Sequence, residues 1–160
     1  MNALLKFIKK LENFGAFLAA LSMVLMFSLG LAEILSREVL GSSISVSLEY
    51  TGYLVGFSFL MGSGWTFREG KHVRLTLFAP KGKAGKNLEI AVLLVALGLA
   101  VLLAYGLVSW ALGSMSRGSV SFFPSATPLW IPQMILSIGP VILGFSVLGR
   151  LLQTLQGEKP

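Results

Sequence analysis

The sequence predicts an all-α integral membrane protein of four helices, and three observations favour this class. Only 12% of the 160 residues are charged, whereas a soluble domain usually has about 25%. The mean hydropathy is +0.79. Four mostly uncharged stretches each approach the roughly 20 apolar residues that a helix needs to cross a bilayer. We expect one membrane domain, residues 1–160, with spans at about 13–35, 49–67, 89–113 and 129–149.

The first predicted span follows a short basic segment, residues 1–12. In this segment Leu4, Ile8 and Leu11 share one helical face and the lysines crowd another, which is typical of an amphipathic helix lying on a membrane surface. A cytoplasmic extension of the first span explains the same pattern equally well. A cleaved signal peptide is disfavoured because its apolar core usually has only about 7–15 residues.

The second and third predicted spans carry small residues at helical spacing. Gly52 and Gly56 form a GxxxG pair and Gly62 follows on the same span, while Gly98 and Gly106 lie two turns apart on the third. Strips of small residues let another helix approach closely within a membrane. The pattern therefore indicates helix packing rather than transport.

The fourth predicted span contains two prolines with different consequences. Pro132 lies in its first turn, where proline is tolerated, whereas Pro140 lies in its middle beside Gly139 and is expected to kink the helix. Short connections between the spans predict an up-and-down bundle.

The distribution of basic residues predicts the orientation. If both termini are cytoplasmic, the two basic residues on the opposite side are Arg37 and Arg117. The other eleven are then inside, as the positive-inside rule requires: Lys6, Lys9, Lys10, Arg68, Lys71, Arg74, Lys81, Lys83, Lys86, Arg150 and Lys159. The dense basic loop between the second and third spans is first a determinant of this topology, with a possible further contact to anionic lipid headgroups.

Ionisable groups are absent from the middle of every predicted span, although an ion-coupled carrier normally keeps one there. Glu33 can pair with Arg37 one helical turn later. Glu49 opens the second helix, where its charge suits the helix dipole and Ser47 is a candidate N-cap. Catalytic motifs, a metal-ligand set and cysteine are also lacking, so we expect no enzyme activity and no cofactor. These features predict a subunit that depends on a partner.

The segment SSISVSLEYTGYLVGFSFLMGSGWTFREGKHVRLTLF, residues 42–78, resembles the signature region of the small membrane subunit of tripartite ATP-independent periplasmic (TRAP) transporters, the DctQ type. The segment PLWIPQMILSIGPVILG, residues 128–144, is similar to the start of the fourth helix in that family. The matching positions of the signature are Ser43, Ile44, Glu49, Gly62, Arg68, Gly70, His72, Val73 and Arg74. Two positions depart from the pattern, Val46 where the family often has Trp, and Leu48, which leaves Glu49 without an acidic neighbour.

The resemblance implies a role in sodium-driven import of an organic acid anion, a dicarboxylate or a sugar acid, across the bacterial inner membrane. In such systems a periplasmic binding protein captures the anion, a large membrane subunit moves it, and the small subunit braces the large one. We then expect the large subunit to bind the second and third helices at Gly52, Gly56, Gly62, Gly98 and Gly106. Arg68, His72 and Arg74 would contact lipid or protein at the cytoplasmic rim, and Arg37 and Glu49 would lie where the binding protein docks.

Two alternatives stay open. A membrane scaffold or assembly factor without a transport role would also have helices with strips of small residues and no catalytic motif. A small multidrug-type exporter also has four spans, but that class needs a buried carboxylate in its first helix, and Glu33 lies too near the helix end.

Overall fold

Four helices make up almost all of the computed structural model, which describes residues 2–69 and 83–156. They are α1 (Asn2–Leu40), α2 (Ser47–Arg68), α3 (Lys83–Ser116) and α4 (Trp130–Gln156). Within the described ranges there is no β-strand, and only an isolated bridge joins Val120 to Pro128. The prediction of an all-α, four-helix protein is confirmed.

Three of the helices are long and apolar enough to cross a membrane, and the stretches that qualify are Leu4–Leu40, Gly85–Ser116 and Trp130–Gln156. The second helix does not reach the same mean apolarity, because it is rich in Gly, Ser and Thr and carries a charge near each end. Its 22 residues still extend about 33 Å at 1.5 Å per residue, which matches a hydrocarbon core of about 30 Å.

The amphipathic N-terminal segment is not a separate helix in the structure. Helix α1 runs without a break through 39 residues, a length of about 58 Å. Of the two alternatives for residues 1–12, this agrees with an extension of the first span. The apolar face of the segment is used inside the protein, because Ile8 is buried against Gly149 of α4.

The four helices contact one another unequally. In the described residues α1, α2 and α4 each contact the other two, whereas α3 contacts α4 alone. Two apolar clusters reflect this arrangement. One joins Ala19 of α1, Met61 of α2 and Ile142 of α4. The other joins Leu93 of α3 to Val147 and Leu151 of α4. Helix α3 therefore keeps most of its surface uncovered.

Helix α4 approaches α2 closely at Gly139. A Cβ atom built on Gly139 would lie 2.5 Å from the backbone carbonyl carbon of Leu60, a distance that real side chains do not tolerate. The next residue, Pro140, is buried within α4, and the helix continues through it to Gln156. Glycine at 139 is thus required by the contact between these two helices.

The connections fix how the helices begin and end. Gly118 ends α3 with a positive φ of 60°, and the amide of Ser119 donates to the carbonyl of Ser114, which is a Schellman-type C-cap. The expectation that Ser47 caps α2 is wrong. The N-cap is Val46, whose apolar side chain has no acceptor for a capping hydrogen bond. The Ser47 amide instead donates to the carbonyl of Ile44.

Candidate partner-binding site

One end of the molecule, which we call the Glu49 end, contains the α1–α2 turn and the α3–α4 loop. In the turn, the carboxylate of Glu33 accepts hydrogen bonds from Arg37 Nε at 2.5 Å, Ser43 Oγ at 2.6 Å and the amide of Ile44 at 2.7 Å. The predicted pair between Glu33 and Arg37 is confirmed. The Arg37 side chain stays 67% exposed, so it is accessible to a partner at this end.

Glu49 itself is buried, with only 4% of its surface exposed. Its carboxylate accepts hydrogen bonds from Tyr53 Oη at 2.7 Å and from Ser125 Oγ of the α3–α4 loop. The hydroxyls of Tyr50 and Thr127 form a second hydrogen bond between α2 and this loop, at 3.2 Å. The carboxylate predicted to lie at a docking surface therefore holds a loop in place, and the loop covers it.

The loop held by Glu49 exposes aromatic residues. Phe122 is fully exposed and Phe123 is 38% exposed. A partner at the Glu49 end would contact this loop and Arg37 rather than the carboxylate of Glu49. The role of Ser125 and Thr127 was not predicted, because they are more than 70 positions from Glu49 and no spacing rule relates them.

At the opposite end, which we call the Arg68 end, α2 is fastened to α1. Arg68 Nη1 donates to Glu12 Oε2 at 2.7 Å, and Arg68 Nη2 donates to Asn13 Oδ1 at 2.8 Å and to Glu69 Oε1 at 3.3 Å. Glu12 is only 3% exposed. The guanidinium thus serves a contact within the chain. His72 and Arg74, predicted to act with it, lie outside the described residues.

Glu12 was missed as a functional position, although one signal existed. It is the only acidic residue before Glu33 and lies among three lysines and a predicted apolar face. On a membrane-proximal helix, an isolated carboxylate that becomes buried needs a cation as partner. Arg68 supplies it from 56 positions away.

The two charged ends are separated by the thickness of a bilayer. Glu49 and Arg68 are 19 positions apart on α2, and Glu12 and Glu33 are 21 positions apart on α1. At 1.5 Å per residue these separations are about 28 and 31 Å, close to the roughly 30 Å of a hydrocarbon core. Both ends therefore fit at the headgroup level of the same membrane.

The five glycines predicted to face a partner fall into two groups. A Cβ atom on Gly56 would lie 3.3 Å from Leu136 Cδ2, and one on Gly62 would lie 3.4 Å from Ala19 Cβ, so these two positions pack within the chain. Gly52, Gly98 and Gly106 have no neighbouring atom within 4 Å of a Cβ position. The sequence treats the five alike, but only these three face open space.

Gly98 and Gly106 belong to a large uncovered surface, which we call the open face of α3. It also includes Val95, Leu102 and Tyr105, which are 64%, 66% and 71% exposed. Across the best apolar stretch of α3 only 11% of the residues are buried, against 44% for α4. An apolar face that combines small residues with one aromatic ring is suited to close packing against another membrane helix.

The uncovered surface of α1 has a different character. Phe14, Phe17 and Phe27 are 58%, 63% and 66% exposed. Bulky rings of this kind hold a neighbouring helix at a distance and are compatible with contact to lipid chains. Helix α1 contains two glycines in the described range, Gly15 and Gly30. A Cβ on Gly15 would meet the backbone of Met61, whereas a Cβ on Gly30 would meet open space.

Polar chemistry inside the molecule is sparse in the described ranges, which contain no group of three or more His, Cys, Asp or Glu side chains able to hold a metal. Gln133 Oε1, on α4 near the Glu49 end, is buried and has no hydrogen-bond partner. A lone amide oxygen does not form a transport site.

A family model described as "Tripartite ATP-independent periplasmic transporters, DctQ component" matches residues 26–157. The matched range begins within α1 and includes all of α2, α3 and α4. No curated protein and no solved structure matches the chain.

Proposed function

Since the chain belongs to the DctQ family, the small membrane component of TRAP transporters, we propose that it braces the large membrane subunit of a sodium-coupled importer of an organic acid anion. The observation that supports this most directly is the open face of α3. Among the described helices, α3 contacts α4 alone. A helix that packs on one neighbour only is suited to lie between that neighbour and a partner subunit. The family match favours this role over an unrelated scaffold or a small exporter.

The partner proposed for the open face of α3 is the large membrane subunit. Gly98 and Gly106 would let one of its helices approach closely, and Gly52 on α2 offers a second open position. The proposed scaffold role is supported by the absence of charge in the middle of the protein. The Asp, Glu, Lys and Arg residues of the described helices lie toward the two ends, and none lies midway between them. A subunit of this kind contributes shape rather than an ion pathway.

The protein is proposed to lie in the inner membrane of a bacterium. Its Glu49 end would face the periplasm, and its Arg68 end would face the cytoplasm. Eleven of the thirteen Lys and Arg residues are then inside, as expected for such a membrane protein. The α3–α4 loop with exposed Phe122, together with Arg37, would then be available to the periplasmic binding protein.

The first experiment is affinity purification of the tagged chain from the membranes of its native host in a mild detergent. We expect a large multi-span subunit at about equal stoichiometry. Liposomes containing both subunits, with the binding protein outside, should take up an organic acid anion only under an inward sodium gradient, and liposomes with this chain alone should not. Recovery of the chain as a homodimer, or uptake by the chain alone, would contradict the proposal.

A further inference from the structure

An open cavity of about 510 Å³ lies at the Arg68 end, between the start of α1, the end of α2 and the second half of α4. This volume is within the range of about 300–1,000 Å³ that is usual for sites binding small molecules. Apolar residues such as Leu5 and Ile8 form part of its wall, and Ser146, Gly149 and Gln153 of α4 line another part. The cavity is thus amphipathic and lies where headgroups of the membrane would be.

The charged residues of the cavity leave a positive excess. Lys6, Lys9, Arg68 and Arg150 line it together with two carboxylates, those of Glu12 and Glu69. Both carboxylates are already bound to Arg68. In the described part of the chain Lys6 and Lys9 form no ion pair. Two ammonium groups one helical turn apart are therefore left facing the cavity region without a counter-charge.

Arg150, which also lines the cavity, has a hydrogen-bond donor without an acceptor. Its Nη2 donates to Glu89 Oε1 at 3.1 Å, but its Nε is buried and has no acceptor. A buried donor without an acceptor is costly, so an oxygen-bearing ligand that settled in the cavity and let the guanidinium turn toward it would remove this cost. The unmatched donor is independent of the lysines and adds a third cationic group that could bind an oxygen of an anion.

We propose that this cavity binds the phosphate of an anionic phospholipid headgroup, such as that of phosphatidylglycerol, through Lys6, Lys9 and Arg150. On the hydrocarbon side of Glu12, Phe14 and Phe17 of α1 are 58% and 63% exposed and offer a surface for the acyl chains. A soluble phosphate has no apolar group to bury against this surface, whereas a phospholipid has its acyl chains. We therefore assign the ligand as a lipid. The proposal does not depend on the transporter role, and a failed search for a large subunit would leave it intact.

The test is native mass spectrometry of the full chain, released from detergent with one equivalent of phosphatidylglycerol or of phosphatidylcholine with the same acyl chains. We expect one phosphatidylglycerol to be retained at least about tenfold more than phosphatidylcholine. The double variant Lys6→Gln/Lys9→Gln should lose this preference. The matched control Lys10→Gln/Lys86→Gln removes two charges from the same end but no residue that lines the cavity, and it should keep the preference.

Three results would overturn the proposal. These are equal retention of the two lipids, an unchanged preference in Lys6→Gln/Lys9→Gln, or an equal loss in both double variants, which would show a diffuse charge effect. Glycerol phosphate is the competitor that separates the sources: if it displaces the lipid at equal concentration, the site belongs to a soluble phosphate. The melting temperature checks folding, because phosphatidylglycerol should raise it in the wild type and in the control variant but not in Lys6→Gln/Lys9→Gln.

Discussion

Arg68 and Glu12 form an ion pair with a distance of 2.7 Å between Nη1 and Oε2, and this pair joins α2 to α1 at one end of the molecule. The carboxylate is almost fully buried, whereas the guanidinium side chain is 25% exposed. Removing the cation would leave a buried carboxylate without a partner, which costs more than removing both groups.

The variant Arg68→Gln should accordingly be less stable than the double variant Glu12→Gln/Arg68→Gln. We expect Arg68→Gln to lose about 2–3 kcal/mol, somewhat less than a fully buried pair would, which corresponds to a melting temperature lower by about 5–10 °C. Arg37→Gln is the control, because it breaks the exposed pair with Glu33 and should have a much smaller effect. Thermal unfolding in mild detergent measures all three. A double variant that is less stable than Arg68→Gln would contradict this interpretation of the pair.

The α3–α4 loop should loosen when Glu49 is replaced by Gln. The neutral amide accepts hydrogen bonds from Ser125 and Tyr53 less strongly than a carboxylate does. We expect amide hydrogen exchange in residues 119–128 to become about tenfold faster, equivalent to about 1.4 kcal/mol of lost protection. Glu38→Gln, at an exposed position of α1, should leave exchange in the loop unchanged. Equal exchange in both variants would show that Glu49 does not hold the loop.

The contact between α2 and α4 predicts that Gly139→Ala is destabilising. The added methyl group would meet the backbone of Leu60 at 2.5 Å, and forced overpacking of this kind costs about 1–3 kcal/mol. Gly30→Ala adds the same group to α1 where nothing lies within 4 Å, and should be neutral or slightly stabilising because alanine favours helix. Measured in the same detergent, the melting temperature should fall in Gly139→Ala and should stay unchanged or rise slightly in Gly30→Ala. A tolerated Gly139→Ala would mean that the two helices lie further apart.

The open face of α3 predicts a variant that folds but loses its partner. Gly98→Leu/Gly106→Leu adds side chains into open space, so the melting temperature of the isolated chain should not fall. Recovery of the large subunit with the tagged chain should drop at least about tenfold, since a leucine prevents close helix approach. Gly30→Leu is the control at an equally open position of α1 and should retain the partner. Gly56 is unsuitable for this test because a leucine there would collide with Leu136.

The helices could be predicted from the sequence because charged residues mark the ends of the apolar stretches. The span predicted at 49–67 corresponds to helix Ser47–Arg68, and that at 129–149 to Trp130–Gln156. The helices are longer than the predicted spans because apolarity reports only the part that crosses hydrocarbon, while the backbone stays helical beyond it. The merging of residues 1–12 with the first span follows from the same fact.

The site could be predicted only in part. Gly52 and Gly56 are equivalent in a GxxxG motif, but Gly56 faces Leu136 and Gly52 faces open space. The motif does not reveal how a helix is rotated about its axis, because that depends on neighbours elsewhere in the chain. For the same reason Glu49 could be placed at a helix start, but its burial under Ser125 could not be foreseen.

The measurement that tests the proposed role most directly is photo-crosslinking in native membranes. A photoreactive amino acid would replace Leu102 on the open face of α3, which is 66% exposed, or Phe17 on α1, which is 63% exposed. We expect the probe at 102 to form a covalent adduct with a large multi-span membrane protein and the probe at 17 to form none with any protein. An adduct at 17 but not at 102, in membranes from which the tagged chain still recovers the large subunit, would contradict the assignment of α3 as the contact helix.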